Sequence, residues 1–152
     1  MRITICAVGR ARGDPSAEIC QSYLDRLPWP AEVREVEVRR KLPTAKAKEQ
    51  EAEMLLAAVP AGGRLWALDG RGKALSSQEF AELLGRWRDD GVRDAAFAIG
   101  GAEGLHPSLL SAAHGSLSLG AMTWPHLLAR AMLAEQLYRA ASILAGHPYH
   151  RA

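Results

Sequence analysis

Apolar and polar positions along this chain follow two periods, one typical of strands and one typical of helices. Residues 2–8 form an apolar run that ends at Gly9, as in a buried strand. Residues 32–38 alternate apolar with charged side chains, so this second strand is expected to expose one face near a sheet edge. Apolar runs predict three further strands, over residues 64–69, 94–99 and 116–119.

Helix-start signals fall between the predicted strands. Asp14 before Pro15 is expected to cap one helix, and Ser76 with Glu79 fits a capping box for another. Thr44 is expected to cap a third. The helices are predicted over residues 14–27, 44–59 and 76–91, in a short segment from 107, and over 125–145. This alternation predicts an α/β fold with a mainly parallel sheet flanked by helices.

Composition places the chain among ordinary globular domains. It has 152 residues, of which 48% are hydrophobic and 24% charged, so disorder and coiled coil are disfavoured. A single domain over residues 1–152 is expected. The net charge of +2 is too small to indicate a nucleic-acid binder, although Arg39, Arg40, Lys41 and Lys46 allow a local basic patch.

Neither a membrane span nor a metal site is predicted. Residues 104–129 carry no formal charge, but prolines and glycines interrupt that run too often for a transmembrane helix. Cys6 and Cys20 lack a CxxC or a Cys/His spacing and are interpreted as buried hydrophobic residues, with a disulfide or a nucleophile as the alternative. The N-terminus is too short and strand-like for a secretory signal, which favours a reducing cytoplasm.

Three glycine-bearing loops follow predicted strands, at the positions where parallel sheets bind ligands. Residues 70–75 lack the third glycine of a dinucleotide fingerprint and are interpreted as a glycine turn with solvated basic side chains. Residues 100–104 fit either a tight turn or a ligand cradle. Residues 120–126 enter a helix, so their amides could hold the polar edge of a ligand. Met122 and Trp124 in that loop either flank an aromatic ring or fill core.

The final helix and the segment after it carry further polar side chains. Glu135 and Arg139 are spaced i,i+4 in the favourable order, which an ordinary helix salt pair explains. Residues 147–151 read His-Pro-Tyr-His-Arg, whereas chain ends are usually polar and disordered. This composition indicates a tail segment that docks onto another surface.

Six motifs in a fixed order give the chain a family resemblance. They are Ala-Val-Gly at 7–9, Leu-Asp-Gly-Arg-Gly-Lys at 68–73, Ile-Gly-Gly-Ala-Glu-Gly at 99–104, Met-Thr-Trp-Pro-His at 122–126, Glu-Gln-Leu-Tyr-Arg-Ala at 135–140 and His-Pro-Tyr-His-Arg at 147–151. From end to end the chain resembles the RlmH-type large-subunit ribosomal RNA pseudouridine N3-methyltransferases of the SPOUT superfamily. No departure from the family pattern removes a functional group.

The resemblance implies a SPOUT-type fold with a C-terminal trefoil knot, a homodimer, and S-adenosylmethionine as the cofactor. A knot goes against the base rate for protein folds, and neither composition nor periodicity points to one. The implied cofactor-binding positions are Leu68, Gly101, Gly120, Ala121, Met122, Thr123, Trp124 and Pro125. Small residues there would let backbone groups meet the adenine edge directly, and Glu103 would fix its loop. In the dimer, the tail segment of one subunit is expected beside the cofactor loop of the other.

The implied reaction is methylation of N3 of a pseudouridine in large-subunit ribosomal RNA, on the assembled ribosome. The N3–H group is a weak acid, so methyl transfer needs proton removal or stabilisation of the forming anion. His150 is the first candidate for that role and His126 the second. Arg139, Tyr149 and Arg151 are expected to orient the nucleotide and its phosphates.

Two other functions fit parts of this pattern. A SPOUT methyltransferase acting on transfer RNA or another ribosomal RNA site would share the cofactor motifs, but residues 147–151 argue against it. A catalytically inert α/β RNA-binding module would bind no S-adenosylmethionine and would tolerate changes at Gly101 or Thr123. The number of matching motifs favours the ribosomal RNA enzyme.

Overall fold

The computed structural model describes residues 1–151, and in that part of the chain five strands alternate with five helices. The strands are β1 (Arg2–Val8), β2 (Ala31–Val36), β3 (Arg64–Lys73), β4 (Asp94–Ile99) and β5 (Gly115–Leu117). The helices are α1 (Pro15–Asp25), α2 (Thr44–Ala58), α3 (Ser77–Asp89), α4 (Pro107–Ala112) and α5 (His126–Leu144).

All the strands pair in parallel, in the order β2-β1-β4-β3-β5. This confirms the predicted α/β fold with a parallel sheet. β2 lies at one edge of the sheet, as its alternating charged positions predicted. Because parallel strands all end at the same edge, the loops that follow them gather along one side of the molecule.

Helices cover both faces of the sheet. On one face, side chains of α1, α3 and α5 form a core with Ile3, Ile5 and Phe97 of the sheet. On the other face, α2 and α4 pack against a second core that includes Cys6 and Ala98. Successive residues of β1 therefore serve opposite faces, which is the period-two pattern of a strand buried on both sides.

Glycine serves a different purpose in residues 70–73 from the one predicted. The segment continues β3 instead of forming a turn, and its pairing with β5 shifts register after Leu68. A Cβ on Gly72 would lie 2.7 Å from the backbone carbonyl carbon of Ser116. The glycine is therefore needed for close approach of two backbones, and the prediction of a glycine turn is wrong. Arg71 and Lys73 are exposed, as predicted.

The predicted caps of α1 and α3 are confirmed. The Asp14 carboxylate accepts a hydrogen bond from the Ser16 amide at 2.8 Å. Ser76 and Glu79 form the capping box, with each side chain accepting from the other residue's amide. These bonds satisfy amides that the first helical turn leaves without partners.

Other predicted ends are displaced by one or two residues. Thr44 is the first residue of α2, and Pro43 holds the cap position without a side-chain hydrogen bond, so the predicted Thr44 cap is wrong. Pro125 likewise holds the cap position of α5, which begins at His126. β2, β5 and α1 each end two residues before the predicted limit.

The two thiols are buried and free, as interpreted from the sequence. Burial raises the pKa of both Cys6 and Cys20 to about 11, so each stays neutral and unreactive near neutral pH. Within residues 1–151, no helix has the length and apolar character that a bilayer crossing requires. Within the same residues, no group of three or more His, Cys, Asp or Glu side chains is placed to hold a metal ion.

Candidate active site

A cavity of about 290 Å³ opens at the carboxyl edge of the sheet. Its walls come from residues 68–70 of β3, the segment 99–105 after β4, the segment 117–124 around the end of β5, and the start of α5. Seven predicted cofactor positions line it: Leu68, Gly101, Gly120, Ala121, Met122, Thr123 and Trp124. Pro125, the eighth, lies between two lining residues and caps α5.

The loop after β4 is a tight turn that also forms one wall of this cavity. The Gly104 amide donates to the Gly101 carbonyl at 3.0 Å, and Gly104 has a φ of +79°. A Cβ on Gly100 would lie 2.7 Å from the Gly104 carbonyl oxygen. The predicted tight turn is confirmed, and the ligand cradle stays a prediction for a segment that lines the cavity. Glu103 is exposed, and the closing hydrogen bond and the glycines, rather than its carboxylate, fix the loop.

The loop after β5 is held by its own hydrogen bonds. Ser118 Oγ donates to the Gly120 carbonyl and accepts from the Gly120 amide, both at 3.1 Å. Trp124 Nε1 donates to the Leu119 carbonyl at 3.2 Å. Met122 is 74% exposed and Trp124 39% exposed, so neither fills core. Their place on the cavity wall favours the alternative in which they flank an aromatic ring.

Arg130, one turn into α5, ties that helix to the ends of β1 and β2. Its side chain is 3% exposed, and Nη1 donates to Oε2 of Glu35 at 2.6 Å. Nη2 donates to the carbonyls of Val8 and Gly9 at 3.0 and 2.9 Å. Burial alone would raise the pKa of Glu35, but hydrogen bonds from Arg130 and from the Ala11 amide outweigh it and lower that pKa.

His126, the first residue of α5, is among the residues that line the cavity. Its Nε2 lies 3.4 Å from the position that a Cβ on Gly9 would take. The second candidate for the proton-transfer role is therefore beside the predicted cofactor loop. The sequence signal for Arg130 was only one arginine among apolar residues of a helix, and its partner Glu35 is 95 positions away.

The tail segment, residues 147–151, docks onto α5 of its own chain, which confirms the prediction of a docked segment. The Tyr149 ring packs edge-on against Tyr138, with 4.7 Å between ring centres. Its hydroxyl donates to Oε1 of Glu135 at 2.9 Å, and the Arg139 guanidinium carbon lies 4.8 Å from its ring centre. Burial, together with the neighbouring Tyr23 and Glu135 side chains, raises the pKa of Tyr149, so the phenol stays protonated.

Glu135, Arg139, Tyr149 and His150 form one hydrogen-bonded group, which we call the tail cluster. Arg139 donates to Oε1 of Glu135 from Nη2 at 2.6 Å and from Nε at 3.1 Å. Arg139 Nη1 lies 3.1 Å from Nδ1 of His150. An arginine can only donate, so Nδ1 accepts and the neutral imidazole carries its proton on Nε2. The predicted Glu135–Arg139 salt pair is confirmed, but it also organises the tail, a role that the sequence analysis missed.

The cavity and the tail cluster are separate parts of one chain. None of the four tail-cluster side chains is among the residues that line the cavity. His126 and Arg139 lie about 20 Å apart along the axis of α5, at ~1.5 Å per residue. A second cavity of about 630 Å³ lies between them and reaches both Gly120 and Glu135. Arg151, the remaining predicted catalytic residue, is exposed.

Comparison with known proteins identifies the family. A family model described as "Predicted SPOUT methyltransferase" matches residues 1–150. The chain belongs to the SPOUT methyltransferase family. The ribosomal RNA large subunit methyltransferase H of Rhodospirillum centenum is 53% identical to this SPOUT chain over 152 residues, which is all of both chains. The protein of the same name from Dinoroseobacter shibae is 51% identical over 159 residues, covering 99% of each chain.

Solved structures share the SPOUT fold at low sequence identity. A probable methyltransferase from Bordetella pertussis superposes with a TM-score of 0.60 at 17% identity, over 92% of this chain and 96% of that one. The SpoU methyltransferase AviRb from Streptomyces viridochromogenes, solved in complex with the cofactor AdoMet, superposes with a TM-score of 0.50 at 15% identity. That match covers 96% of this chain and 59% of AviRb. At this identity the likeness shows the SPOUT fold alone.

Proposed function

We propose that this SPOUT chain is an S-adenosylmethionine-dependent methyltransferase that methylates N3 of a pseudouridine in large-subunit ribosomal RNA, on the assembled ribosome. The observation that carries the proposal is identity at about half of all positions, over the whole chain, to relatives named ribosomal RNA large subunit methyltransferase H. The names of these relatives indicate ribosomal RNA as the substrate and methyl transfer as the reaction. The pseudouridine N3 acceptor is supported by the motif resemblance, above all by residues 147–151.

The cavity at the carboxyl edge is the proposed S-adenosylmethionine site. Its volume of about 290 Å³ is near the lower end of the ~300–1,000 Å³ of small-molecule sites. Glycine and alanine leave backbone amides and carbonyls accessible for the adenine edge, and Met122 with Trp124 offers apolar surface for the ring. Asp69 also lines the wall, and its carboxylate is paired with Arg71 at 3.4 Å. When bound, S-adenosylmethionine supplies an electrophilic methyl group to this site.

The tail cluster is proposed to hold the acceptor nucleotide. With Nδ1 of His150 accepting from Arg139, the Nε2–H group remains as a donor that can stabilise negative charge on the uracil ring as N3 loses its proton. This tautomer suits an anion-stabilising donor better than a general base. Tyr149 is held by Glu135 for positioning, and the exposed Arg151 is available to a phosphate.

A homodimer is part of the proposal. Within one chain the tail cluster does not line the cofactor cavity, which supports a site built from the tail cluster of one subunit and the cavity of the other. Apolar side chains on the adjoining helices α1 and α5 support such a contact, because Ile19 is 47% exposed and Leu128 and Met132 are only partly buried.

The proposal also includes a trefoil knot, a single SPOUT domain and a cytoplasmic location. The segment after β5 returns to line the same cavity as the loop after β4, which supports a trefoil knot at this edge of the sheet. A family model that spans residues 1–150 supports one SPOUT domain over residues 1–152. A ribosomal substrate, together with the two neutral buried thiols, supports a cytoplasmic location.

Calorimetric titration with S-adenosylmethionine tests the cofactor site. We expect saturable binding to the wild type and at least about tenfold weaker binding to Gly100→Ala, because its Cβ would meet the Gly104 carbonyl at 2.7 Å and open the turn. Gly63→Ala is the matched control. Its Cβ would meet the Pro60 carbonyl at 2.9 Å, at the opposite edge of the sheet.

The two variants separate a local effect from a loss of folding. If Gly63→Ala weakens binding as much as Gly100→Ala, the effect belongs to general destabilisation and the cavity loses its assignment. Absence of binding to the folded wild-type protein would contradict the methyltransferase proposal itself.

A further inference from the structure

Five basic side chains follow β2 with no acidic residue among them: Arg39, Arg40, Lys41, Lys46 and Lys48. The first three lie in the loop between β2 and α2, and the two lysines lie at the start of α2. All except Lys48 are exposed. None of the five forms an ion pair within residues 1–151. Their charges therefore remain available to a partner.

Because the strands are parallel, these charges lie at the carboxyl ends of the strands, on the same side of the sheet as the cofactor cavity. β2 is two strands away from β4, about 10 Å at the usual strand spacing. The loop after β1 lies between them and adds Arg10 and Arg12, both exposed. A groove of about 490 Å³ joins the two loops, with Arg10 on one side and Arg39 and Arg40 on the other.

Helix α2 connects the basic loop to the cavity wall. Oε2 of Glu51 lies 3.8 Å from the position of a Cβ on Gly101, a lining residue. Lys48, three residues earlier on the same helix, acts electrostatically on that carboxylate. The cavity wall beside Gly101 therefore faces the Glu51 carboxylate, and the basic groups begin one turn earlier on α2 and continue through the loop between β2 and α2.

Two of the four carboxylates beside the loop already have partners. Glu37 pairs with Arg10 at 2.7 Å, and Glu35 pairs with the buried Arg130 at 2.6 Å. Glu49 and Glu53 are exposed on α2 and line a groove together with Arg40 and Lys46, but within residues 1–151 they form no ion pair with them. The cations without ion-pair partners lie in the loops that follow β1 and β2 and at the start of α2.

We propose that Arg12, Arg39, Arg40, Lys41 and Lys46 form a phosphate-binding track, which holds the RNA backbone beside the target nucleotide on the β2 side of the cofactor cavity. The inference rests on the proposed function. Exposed cations without ion-pair partners suit phosphates, which they can contact without reading sequence. In a chain with a net charge of only +2, this local concentration supplies the attraction that the whole molecule lacks.

The test compares two triple variants of the full-length protein that remove the same charge. Arg39→Gln/Arg40→Gln/Lys41→Gln removes the centre of the track. Arg86→Gln/Arg88→Gln/Arg93→Gln removes three exposed charges at the opposite edge of the sheet. Methylation of large ribosomal subunits is measured at several salt concentrations, and binding of a short single-stranded RNA of mixed sequence is followed by fluorescence anisotropy.

For the track variant we expect KM to rise at least about tenfold with kcat and S-adenosylmethionine affinity unchanged, and the slope of log affinity against log salt to fall by up to ~3. The control variant should stay within about twofold of the wild type. A variant that keeps all charge, Arg39→Lys/Arg40→Lys/Lys41→Arg, should retain most activity, because phosphate attraction needs charge more than a particular shape.

Unchanged KM and salt slope in the track variant would overturn the proposal and leave the methyltransferase assignment intact. A raised KM on ribosomes with unchanged binding of the RNA oligonucleotide would also overturn it, since the partner would then be an acidic protein surface. If wild-type protein methylates no ribosomal particle while binding S-adenosylmethionine, the ribosomal RNA substrate fails and the track fails with it.

Discussion

At the scale of single residues, Arg139 determines what His150 can do. Its guanidinium donates to Nδ1 of His150 while Glu135 holds it from the other side. The imidazole is therefore presented as an Nε2–H donor. In the proposed mechanism this Nε2–H group stabilises a developing anion, so a side chain that places a donor at the same point should replace part of the function of His150.

The first prediction separates the two roles of His150. His150→Ala should lower the single-turnover rate of methyl transfer by about 10²–10⁴-fold with unchanged S-adenosylmethionine affinity. His150→Gln, whose amide nitrogen can donate near the position of Nε2, should recover at least about tenfold of that loss. Equal loss in both variants would indicate that His150 acts as a base. Wild-type rates in His150→Ala would remove it from the mechanism.

Single-residue predictions from the sequence succeeded where the signal was local. The Asp14 cap, the capping box of α3 and the Glu135–Arg139 pair depend on neighbours within four positions. The pairing of Arg130 with Glu35 depends on how β2 and α5 meet in space, and no local pattern contains it. The wider role of Glu135 was missed for the same reason, since the tail returns to it only after the fold is complete.

At the scale of elements, α5 connects the two halves of the proposed site. Its first turns hold His126 at the cavity and Arg130 against the ends of β1 and β2. Its last turns carry the tail cluster. The Arg130 contact is the one that fixes this helix to the loop after β1, because it bonds two strand-end carbonyls and the Glu35 carboxylate together.

The second prediction concerns this contact and its dependence on pH. Arg130→Met should lower the free energy of unfolding by about 2–3 kcal/mol at pH 7, because two carbonyls and a carboxylate lose their donor. The pKa of Glu35 in the folded protein is lowered below its usual 4.5, so the stability from this pair is complete above about pH 4.5 and is lost as pH falls through the lowered value.

Chemical denaturation from pH 3 to 7 measures this effect. The wild type should lose stability below about pH 4.5 more steeply than Arg130→Met, which no longer has the pair to lose. If the free energy of unfolding falls equally steeply with decreasing pH in both proteins, the ion pair does not contribute to the loss of stability in acid.

The elements themselves were largely predictable, and their ends were not. Apolar runs identified β1, β3, β4 and β5, and the alternation of apolar with charged residues identified β2. The extension of β3 through Lys73 was hidden, since glycine at 70 and 72 resembles a turn until the neighbouring backbone of β5 is in place. Thr44 and Pro125 show the same limit, because a proline can occupy either the cap or the first helical position.

At the scale of the whole molecule, the proposed site belongs to two chains. The cavity of one subunit and the tail cluster of the other would each be inactive alone, and the symmetry of a dimer would create two identical composite sites. The knot and the dimer came from the family resemblance, because hydrophobic periodicity carries no information about how loops pass one another or how copies meet.

The third prediction is complementation between two impaired variants, assayed at an S-adenosylmethionine concentration that saturates the wild type but not Gly100→Ala. Gly100→Ala damages the cavity and leaves the tail cluster intact, whereas Arg139→Ala does the reverse. Mixed after denaturation and refolding in equal amounts, they should recover about a quarter of wild-type activity, because half of the dimers are mixed and each of those has one intact site. No recovery in a mixture shown to contain mixed dimers would mean that each site is built within one chain.

The central claim is that this SPOUT protein transfers a methyl group to N3 of a pseudouridine in large-subunit ribosomal RNA. Its most direct test incubates the purified protein with labelled S-adenosylmethionine and either ribosomes that lack the modification or total transfer RNA, followed by mass spectrometry of the digested RNA. We predict one methyl group per large-subunit RNA, on N3 of a pseudouridine, and none on transfer RNA. Label on transfer RNA alone, or on neither RNA, would contradict the account.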